Sequence, residues 1–362
     1  MKTSAASLKV EDRNELAPIA ESDLIDLSRF IAAQSGRSAQ SIAAHLQWFL
    51  LENPARGNDM PLGWGMRSSA GDLVGCILCA PQTFRFRESV FTVMGSSSFY
   101  VDSVHRGAGS LIFLRFSRMA SRWALFGNSA NALAASLWKA RGAMPIPDSD
   151  HELFGVLHWS PLAEEILARK IGTSQLSRVA GIIASPLAHV RYALKFKNPA
   201  ASLTPLTSAE QVMDLCIDQP STKLTAARDL PYIRWRYFSG RDSTVALFSA
   251  RSPQFEGEVF VAVNKRPRGY RSQIRTLNLL DVYPEVPSDG LVAISTALMD
   301  RHRDKVDAFV VRGQARDHQS ALQRAGFLRR TLDAPNGWLL DKSKLLPTRD
   351  WYFVPADGDW LI

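Results

Sequence analysis

VDSVHRGAGSLIFLRF, residues 101–116, places a glycine-rich turn directly before an apolar run with helical spacing. Two interpretations of Arg106-Gly107-Ala108-Gly109 are open: a flexible connection into the helix, or a cradle for phosphate. The preceding segment SFYVD has the pattern of a strand, and the helix is predicted to begin at Ser110. Backbone N–H groups at a helix N-terminus lack acceptors, and glycine leaves them accessible to an anion. This order of elements favours phosphate binding.

The bulk composition is typical of a folded protein with an anionic partner. The chain has 362 residues, of which 46% are hydrophobic, which predicts two or three domains with full cores. The net charge of +8 favours a polyphosphate cofactor, a nucleic acid or an acidic surface. Cys76 and Cys79 fall in a predicted strand, which favours core packing over a metal site, and no metal site is predicted elsewhere.

The N-terminal segment lacks the apolar stretch of a signal peptide, and no apolar run is long enough to span a membrane. We therefore expect a soluble cytoplasmic protein.

The predicted elements follow one order twice. Helix, helix, strands, loop, helix, strand and helix fill the first half, and a similar order returns from about residue 200. This predicts a mixed α/β fold of two similar domains, each a curved mixed sheet flanked by helices. We assign residues 1–150 to the first domain, 151–200 to a connector and 201–362 to the second domain. The stretch YIRWRYF (232–238) alternates like a strand and is predicted to be a half-buried sheet edge.

The loop and its surroundings resemble the GNAT N-acyltransferase superfamily, whose phosphate loop reads V-x-x-x-x-R-G-x-G before a helix with a leucine. The matching positions here are Val101, Arg106, Gly107, Gly109 and Leu114. Downstream, LFGNSANALAASLWKARGA is similar to the strand and asparagine-containing helix that follow in the family, with Asn131 and Gly142 in place. LQRAGF in the second half and the C-terminal WYFVPADGDW resemble tandem bacterial members.

The resemblance implies a donor, acetyl-CoA or another acyl-CoA, and a small amine acceptor such as an amino sugar or an amino acid. It implies that the coenzyme A pyrophosphate lies on the backbone N–H groups of Arg106, Gly107, Ala108, Gly109 and Ser110. The strand edge at Tyr100 and Val101 would bind the pantetheine arm and help to polarise the thioester carbonyl. Asn131 would steady the cofactor from the next helix.

Tyr100 and Asp102 are the residues that we assign to catalysis. The acceptor amine must lose a proton before it attacks, and Asp102 and His105 are the nearest candidates in sequence, of which we favour Asp102. Trp138 stands where the family often has a tyrosine that protonates the departing thiolate. Either another acid serves, or the thiolate leaves unaided.

The second half has the acidic segment EVPSDG (285–290) in place of the glycine-rich loop, and its carboxylates would repel phosphate. We expect a degenerate domain that shapes the acceptor cleft.

Two other functions are open. FemAB-type aminoacyl-tRNA-dependent transferases also pair GNAT-like domains, and the basic stretch Lys265–Arg275 fits a tRNA partner. The glycine-rich loop argues against them, so a nucleic acid is not the expected partner. A non-catalytic binding protein is the third candidate, because Leu111 and Trp138 depart from the family pattern.

Overall fold

The structure is a computed structural model that describes residues 15–171, 201–216, 223–239, 244–268, 274–313, 315–347 and 350–357. Its strands form two mixed sheets, and helices flank both of them. This confirms the fold class predicted from the sequence. Residues 172–200 of the predicted connector and 269–273 of the basic stretch lie outside the described residues. No helix within the described ranges is both long enough and apolar enough to cross a membrane.

The first half of the chain supplies two helices between its first and second strands and two among its later strands. The helices are α1 (Leu24–Ser35), α2 (Ala39–Leu46), α3 (Ala108–Arg118), α4 (Ala132–Ala140) and, at its end, α5 (Trp159–Ile171). The strands are β1 (Glu15–Pro18), β2 (Gly63–Arg67), β3 (Leu73–Phe86), β4 (Ser89–Val101), β5 (Ala124–Gly127), β6 (Met144–Pro145) and β7 (His151–Val156).

The second half repeats this order with shorter helices at its start. Its helices are α6 (Ala209–Cys216), α7 (Leu230–Ile233), α8 (Ser288–Arg301) and α9 (Arg316–Arg324). Its strands are β8 (Ser202–Pro205), β9 (Thr225–Ala226), β10 (Val245–Arg251), β11 (Val259–Arg268), β12 (Ile274–Tyr283), β13 (Ala308–Arg312), β14 (Leu328–Thr331) and β15 (Trp338–Leu340).

Each sheet includes strands from the other half of the chain: β9 and β15 lie in the first sheet, where β9 pairs with β3, and β7 lies in the second. The first sheet has the order β1-β2-β3-β4-β5-β15-β6, and the second has the order β14-β7-β13-β12-β11-β10-β8. Strand β15, from the second half, lies between β5 and β6, where Trp338 pairs with Gly127. Strand β7, from the first half, lies between β13 and β14. Residues 151–156, which the sequence assigned to a connector, are therefore an inner strand of the second sheet, while the division into domains stays a prediction.

A reciprocal pair of tryptophans joins the two halves in the buried core between the sheets. The Trp48 indole N–H donates to the Trp235 carbonyl oxygen at 2.9 Å, and the Trp235 indole N–H donates to the Trp48 carbonyl oxygen at 2.9 Å. The two rings stack with centroids 5.0 Å apart. Each tryptophan lies in a wide π-helical turn, Gln47–Leu51 after α2 and Arg234–Phe238 after α7. The pairing relates equivalent turns of the two halves.

The prediction that residues 232–238 form a sheet edge was wrong. The segment is helical, first as α7 and then as the π-helical turn, and Asp229 caps it by accepting the Tyr232 N–H at 2.8 Å. The Asp229 cap and the stacking of Trp235 on Trp48 favour the helical turn, and neither depends on the alternation of the segment. Trp235 and Arg236 are buried, so the segment does not form an exposed nucleic-acid surface.

Substitution of each tryptophan by phenylalanine tests whether the reciprocal pair stabilises the whole chain. Trp48→Phe and Trp235→Phe each remove one indole N–H and leave a buried carbonyl oxygen without its donor, so each should lower the free energy of unfolding by about 1–3 kcal/mol. Their effects should be non-additive, because the two side chains are in contact. Denaturant unfolding of the singles and the double variant measures the coupling.

Trp123→Phe is the control, because no hydrogen bond to its indole occurs within the described residues, and it should change the free energy of unfolding by less than about 1 kcal/mol. Additive effects of Trp48→Phe and Trp235→Phe would contradict a coupled pair.

Candidate functional site

A gap between β4 and β5 forms the centre of the candidate site. The two parallel strands pair only from Val93 to Gly95, opposite Ala124 to Phe126. Strand β5 ends at Gly127, whereas β4 continues to Val101. The last part of β4 therefore presents one backbone edge that β5 does not cover.

A β-bulge at Ser98 bends β4 within this uncovered part. Opposite β3, the pairing moves from Cys76 with Tyr100 to Leu78 with Ser97, so β4 carries one extra residue. Ser98 has φ of 47°, in the left-handed region that non-glycine residues rarely adopt. Bulges and such strained residues concentrate at functional sites, where they direct a strand away from its neighbour.

The loop after β4 is ordered by Asp102. One carboxylate oxygen of Asp102 accepts the Val104 N–H at 2.8 Å, and this bond caps a short 3₁₀ turn over Ser103–His105. The Asp102 N–H donates to the Val74 carbonyl oxygen at 2.9 Å, which ties the loop to β3. The structure thus gives Asp102 a capping role, and its assignment as a general base stays a prediction.

The two loop glycines have different surroundings. A Cβ at Gly107 would meet nothing within 4 Å, whereas a Cβ at Gly109 would lie 3.3 Å from Val101 Cγ2 and 3.5 Å from Phe99 Cζ. Gly107 therefore borders open space at the start of α3. Gly109 is buried and allows α3 to pack closely against β4.

The loop between β4 and α3 also contains backbone N–H groups that have no acceptor within the described residues. No hydrogen bond within the described residues uses the backbone N–H of Arg106 or Gly107, and the exposed Arg106 side chain forms no ion pair there. Ser110 is exposed one residue beyond Gly109, while Ala108 is buried. Because the helix dipole places positive charge at this end of α3, the two N–H groups and the guanidinium favour an anion.

Asn131 lies at the start of α4, on the chain that leaves β5. Its side-chain oxygen accepts the Ala134 N–H at 2.9 Å and caps this helix. The capping bond fixes the side-chain amide at the end of the gap between β4 and β5, and a contact of Asn131 with a cofactor stays a prediction.

A cavity of about 120 Å³ opens beside the bulge, between β4 and the first two helices. Its wall on the sheet side is formed by Ser98 and Tyr100. Its helical wall is formed by Ile31, Ser35, Arg37, Ile42, His45 and Leu46. The cavity brings Tyr100, which the sequence assigned to catalysis, together with an imidazole.

His45 is a candidate catalytic residue that sequence reasoning missed. Its ring stacks on Phe49 with centroids 5.3 Å apart and lies 5.3 Å from the Trp48 ring. These aromatic rings are three and four residues further along the helical path, so they hold the imidazole at the cavity wall. The available signal was a histidine at helical spacing from Ile42 and Phe49, on the edge of the apolar face of α2.

Trp138 belongs to the core. It is 2% exposed and packs edge-on against Phe113 with centroids 5.1 Å apart, and a Cβ at Gly127 would lie 3.0 Å from its Cζ2 atom. Its indole therefore supports the packing of α3, α4 and β5.

In the second sheet the parallel strands β12 and β13 also separate beyond a short paired part, but there the C-terminal segment of the chain contacts them. Strands β12 and β13 pair only up to Asn278 with Val310. Beyond that point the Tyr352 hydroxyl donates to the Val282 carbonyl oxygen on β12. A Cβ at Gly313, just after β13, would lie 3.0 Å from the Phe353 carbonyl oxygen.

A buried ionic cluster fixes this C-terminal segment. The Arg228 guanidinium bonds both carboxylate oxygens of Asp281 at 2.9 and 3.1 Å and Asp357 at 3.1 Å, and all three side chains are fully buried. Burial raises the pKa of the Asp357 carboxyl to about 6, against the attraction of Arg228. Tyr237 donates a further hydrogen bond to Asp281 at 2.9 Å. Paired burial of this kind makes removal of any one partner costly.

Comparison with solved structures identifies the fold. Saccharomyces cerevisiae N-myristoyltransferase with bound myristoyl-CoA matches with a TM-score of 0.54 and 15% identity, over 93% of this chain and 80% of the yeast protein. A GCN5-related N-acetyltransferase from Kribbella flavida matches with a TM-score of 0.52 and 13% identity, over 92% and 73%. One from Anabaena variabilis matches with a TM-score of 0.53 and 10% identity, over 91% and 74%.

The chain has a tandem GNAT fold. No protein-family model and no curated protein sequence matches it, so the assignment comes from the structure. In this tandem GNAT chain β5 leaves the end of β4 uncovered in the first half, while in the second half the C-terminal segment contacts β12 and the residue after β13. Within the described ranges, no group of three or more His, Cys, Asp or Glu side chains is placed to hold a metal ion.

The difference between the two loop glycines is testable by denaturant unfolding. Gly107→Ala places its Cβ in open space and favours the helical conformation, so the free energy of unfolding should stay equal or rise by up to about 1 kcal/mol. Gly109→Leu forces a side chain between α3 and β4 and should lower the free energy of unfolding by about 1–3 kcal/mol. Equal effects of the two substitutions would contradict the packing role of Gly109.

Proposed function

We propose that the tandem GNAT chain is an acyl-CoA-dependent N-acyltransferase whose donor binds at the first sheet. The observation that carries this proposal is the loop at Arg106 and Gly107, which follows the uncovered edge of β4: two backbone N–H groups form no hydrogen bond within the described residues, and a Cβ at Gly107 would meet open space. The pyrophosphate of coenzyme A would lie on these N–H groups, close to the Arg106 guanidinium. The pantetheine arm would run along β4 near Tyr100 and Val101.

The binding of myristoyl-CoA by the yeast structural neighbour supports an acyl-CoA donor, with the acyl chain to be found by titration. Acetyl-CoA is the first donor to test, because the Kribbella and Anabaena neighbours are N-acetyltransferases by name. Backbone donors of β4 near the bulge would stabilise the negative charge that develops on the thioester oxygen.

The acceptor amine would enter the cavity beside the bulge. A volume of about 120 Å³ admits a small amine-bearing group, since one water occupies about 30 Å³ of liquid. His45 would take the proton from the amine, directly or through a water, and Tyr100 on the opposite wall would hydrogen-bond the reacting groups. We propose an amino sugar or an amino acid as acceptor, with His45 in place of Asp102 as the general base.

Thermal unfolding with acetyl-CoA and with longer acyl-CoAs tests the donor site. A ligand at a hundred times its Kd stabilises the folded chain by about 2.7 kcal/mol, which raises Tm measurably. Gly107→Glu should abolish this rise, because a carboxylate in the open space repels the pyrophosphate. Ser121→Glu, which adds the same charge at the other end of α3, should keep it.

A rise in Tm that survives in Gly107→Glu, or its absence with every acyl-CoA, would contradict a donor site at this loop.

Release of free coenzyme A thiol in the presence of amines tests the role of His45. His45→Gln should lower kcat by about 100- to 10,000-fold, the range expected for loss of a general base. The rise of Tm with acyl-CoA should remain, because His45 lies in the acceptor cavity. Asp102→Asn is the matched comparison, and a larger loss of kcat there than in His45→Gln would return the base to Asp102.

A further inference from the structure

Three arginines surround one buried glutamate on the second sheet. Glu152 of β7 pairs in register with Arg312 of β13 on one side and Arg330 of β14 on the other. Residues opposite one another in a sheet project to the same face, so both guanidinium groups reach the Glu152 carboxylate. Arg268, at the end of β11, donates to both carboxylate oxygens at 2.9 and 2.7 Å. Its guanidinium also lies 5.2 Å from the centre of the Phe154 ring.

This arginine cluster (Arg268, Arg312 and Arg330 around Glu152) carries more positive charge than its carboxylate neutralises. Three guanidinium groups and one carboxylate leave a net charge of about +2, since arginine stays protonated. The Glu152 side chain is 1% exposed, so its carboxylate contacts the arginines rather than solvent. The Arg330 side chain is 53% exposed. Burial lowers the pKa of the Arg312 guanidinium to about 9; Glu152 opposes this effect, and the positive charges of Arg268 and Arg330 add to it.

The cluster has unused hydrogen-bond donors. Arg330 lies 3.7 Å from the nearest Glu152 oxygen, and no other ion pair or hydrogen bond of its side chain occurs in the described part of the chain. The Nη1 of Arg268 is buried and has no hydrogen-bond partner in the same ranges. Arg312 and Arg330, one on each side of Glu152, would be enough to join β7 to its two neighbouring strands. The third guanidinium, that of Arg268, adds electrostatic repulsion between the arginines. A surplus of positive charge and unused N–H donors are the features that a protein site for an anion needs.

We propose that the arginine cluster binds an oxyanion, the phosphate or carboxylate group of a small ligand, between the exposed Arg330 and the two inner arginines. Guanidinium groups present paired N–H donors that match the oxygens of either group, and such charge-assisted bonds are among the strongest in proteins. An oxyanion here would neutralise the surplus charge and occupy the unused donors. The site lies on the second sheet and uses none of the residues of the proposed acyl-CoA loop, so it stands or falls independently of the proposed function.

Titration of the full chain with inorganic phosphate, at constant ionic strength maintained with chloride, tests the site. Phosphate should raise Tm in a saturable manner. Arg330→Met should weaken phosphate binding about tenfold or more, because it removes one charged donor of the cluster. The ion pairs of Arg268 and Arg312 with Glu152 remain. Succinate in place of phosphate distinguishes a carboxylate site from a phosphate site by the tighter Kd.

Arg329→Met is the matched control. Arg329 precedes Arg330 on β14, projects to the opposite face and contacts His151, so its replacement makes the same change in net charge outside the cluster. It should bind phosphate like the unmodified chain. Absence of saturable binding of both anions, or equal weakening in Arg330→Met and Arg329→Met, would overturn the oxyanion site and leave the cluster as a structural clamp.

Discussion

The reciprocal hydrogen bonds between Trp48 and Trp235 are the contact on which the candidate site depends. Each indole satisfies a carbonyl oxygen that the wide turn of the other half leaves in the core. Because Trp48 also packs against His45, the contact between the halves positions a side chain of the cavity beside the bulge. Joining of the halves and formation of the cavity are thus parts of one packing arrangement.

The exchange of strands gives a second reason why neither half is independent. Strand β15 occupies an inner position of the first sheet, and β7 occupies the equivalent position of the second. Removal of either would leave two strands of the other half without a partner for their backbone groups. The Arg228 cluster adds a third connection, because it fixes the C-terminal segment against β12, while Asn128 at the end of β5 donates to the Pro355 carbonyl oxygen at 3.3 Å.

The two halves have the same architecture but differ in what lies beside the separating parallel strands. In the first, β4 is uncovered and leads into donors at Arg106 and Gly107. In the second, the Tyr352 hydroxyl donates a hydrogen bond to β12, the strand that corresponds to β4. The C-terminal segment that carries Tyr352 is held in place by the buried ion pair of Arg228 with Asp357. This contrast supports one donor site in the tandem GNAT chain. The oxyanion site that we propose lies in the second sheet, apart from this donor site.

Much of the fold could be predicted because local patterns report local structure. The run of apolar residues in α3, the glycine-rich loop before it and the repeated order of elements are visible in the sequence, and they predicted two mixed sheets. The helical turn at Trp235 could not be predicted, because the segment alternates as a strand does, and the stacking of Trp235 on Trp48 joins residues far apart in the chain. His45 was missed for a similar reason, since a histidine on an apolar helix face is usually part of the core.

By itself the sequence determined most of the elements, their order and the glycine-rich loop before α3, because these depend on residues close together in the chain. The tertiary structure alone decided which gap is open, which strands are exchanged and which side chains meet at the bulge. Those outcomes depend on contacts between residues far apart, such as Glu152 with Arg330 and Arg228 with Asp357. Burial selects such contacts by requiring that each charge and backbone group taken from water finds a partner.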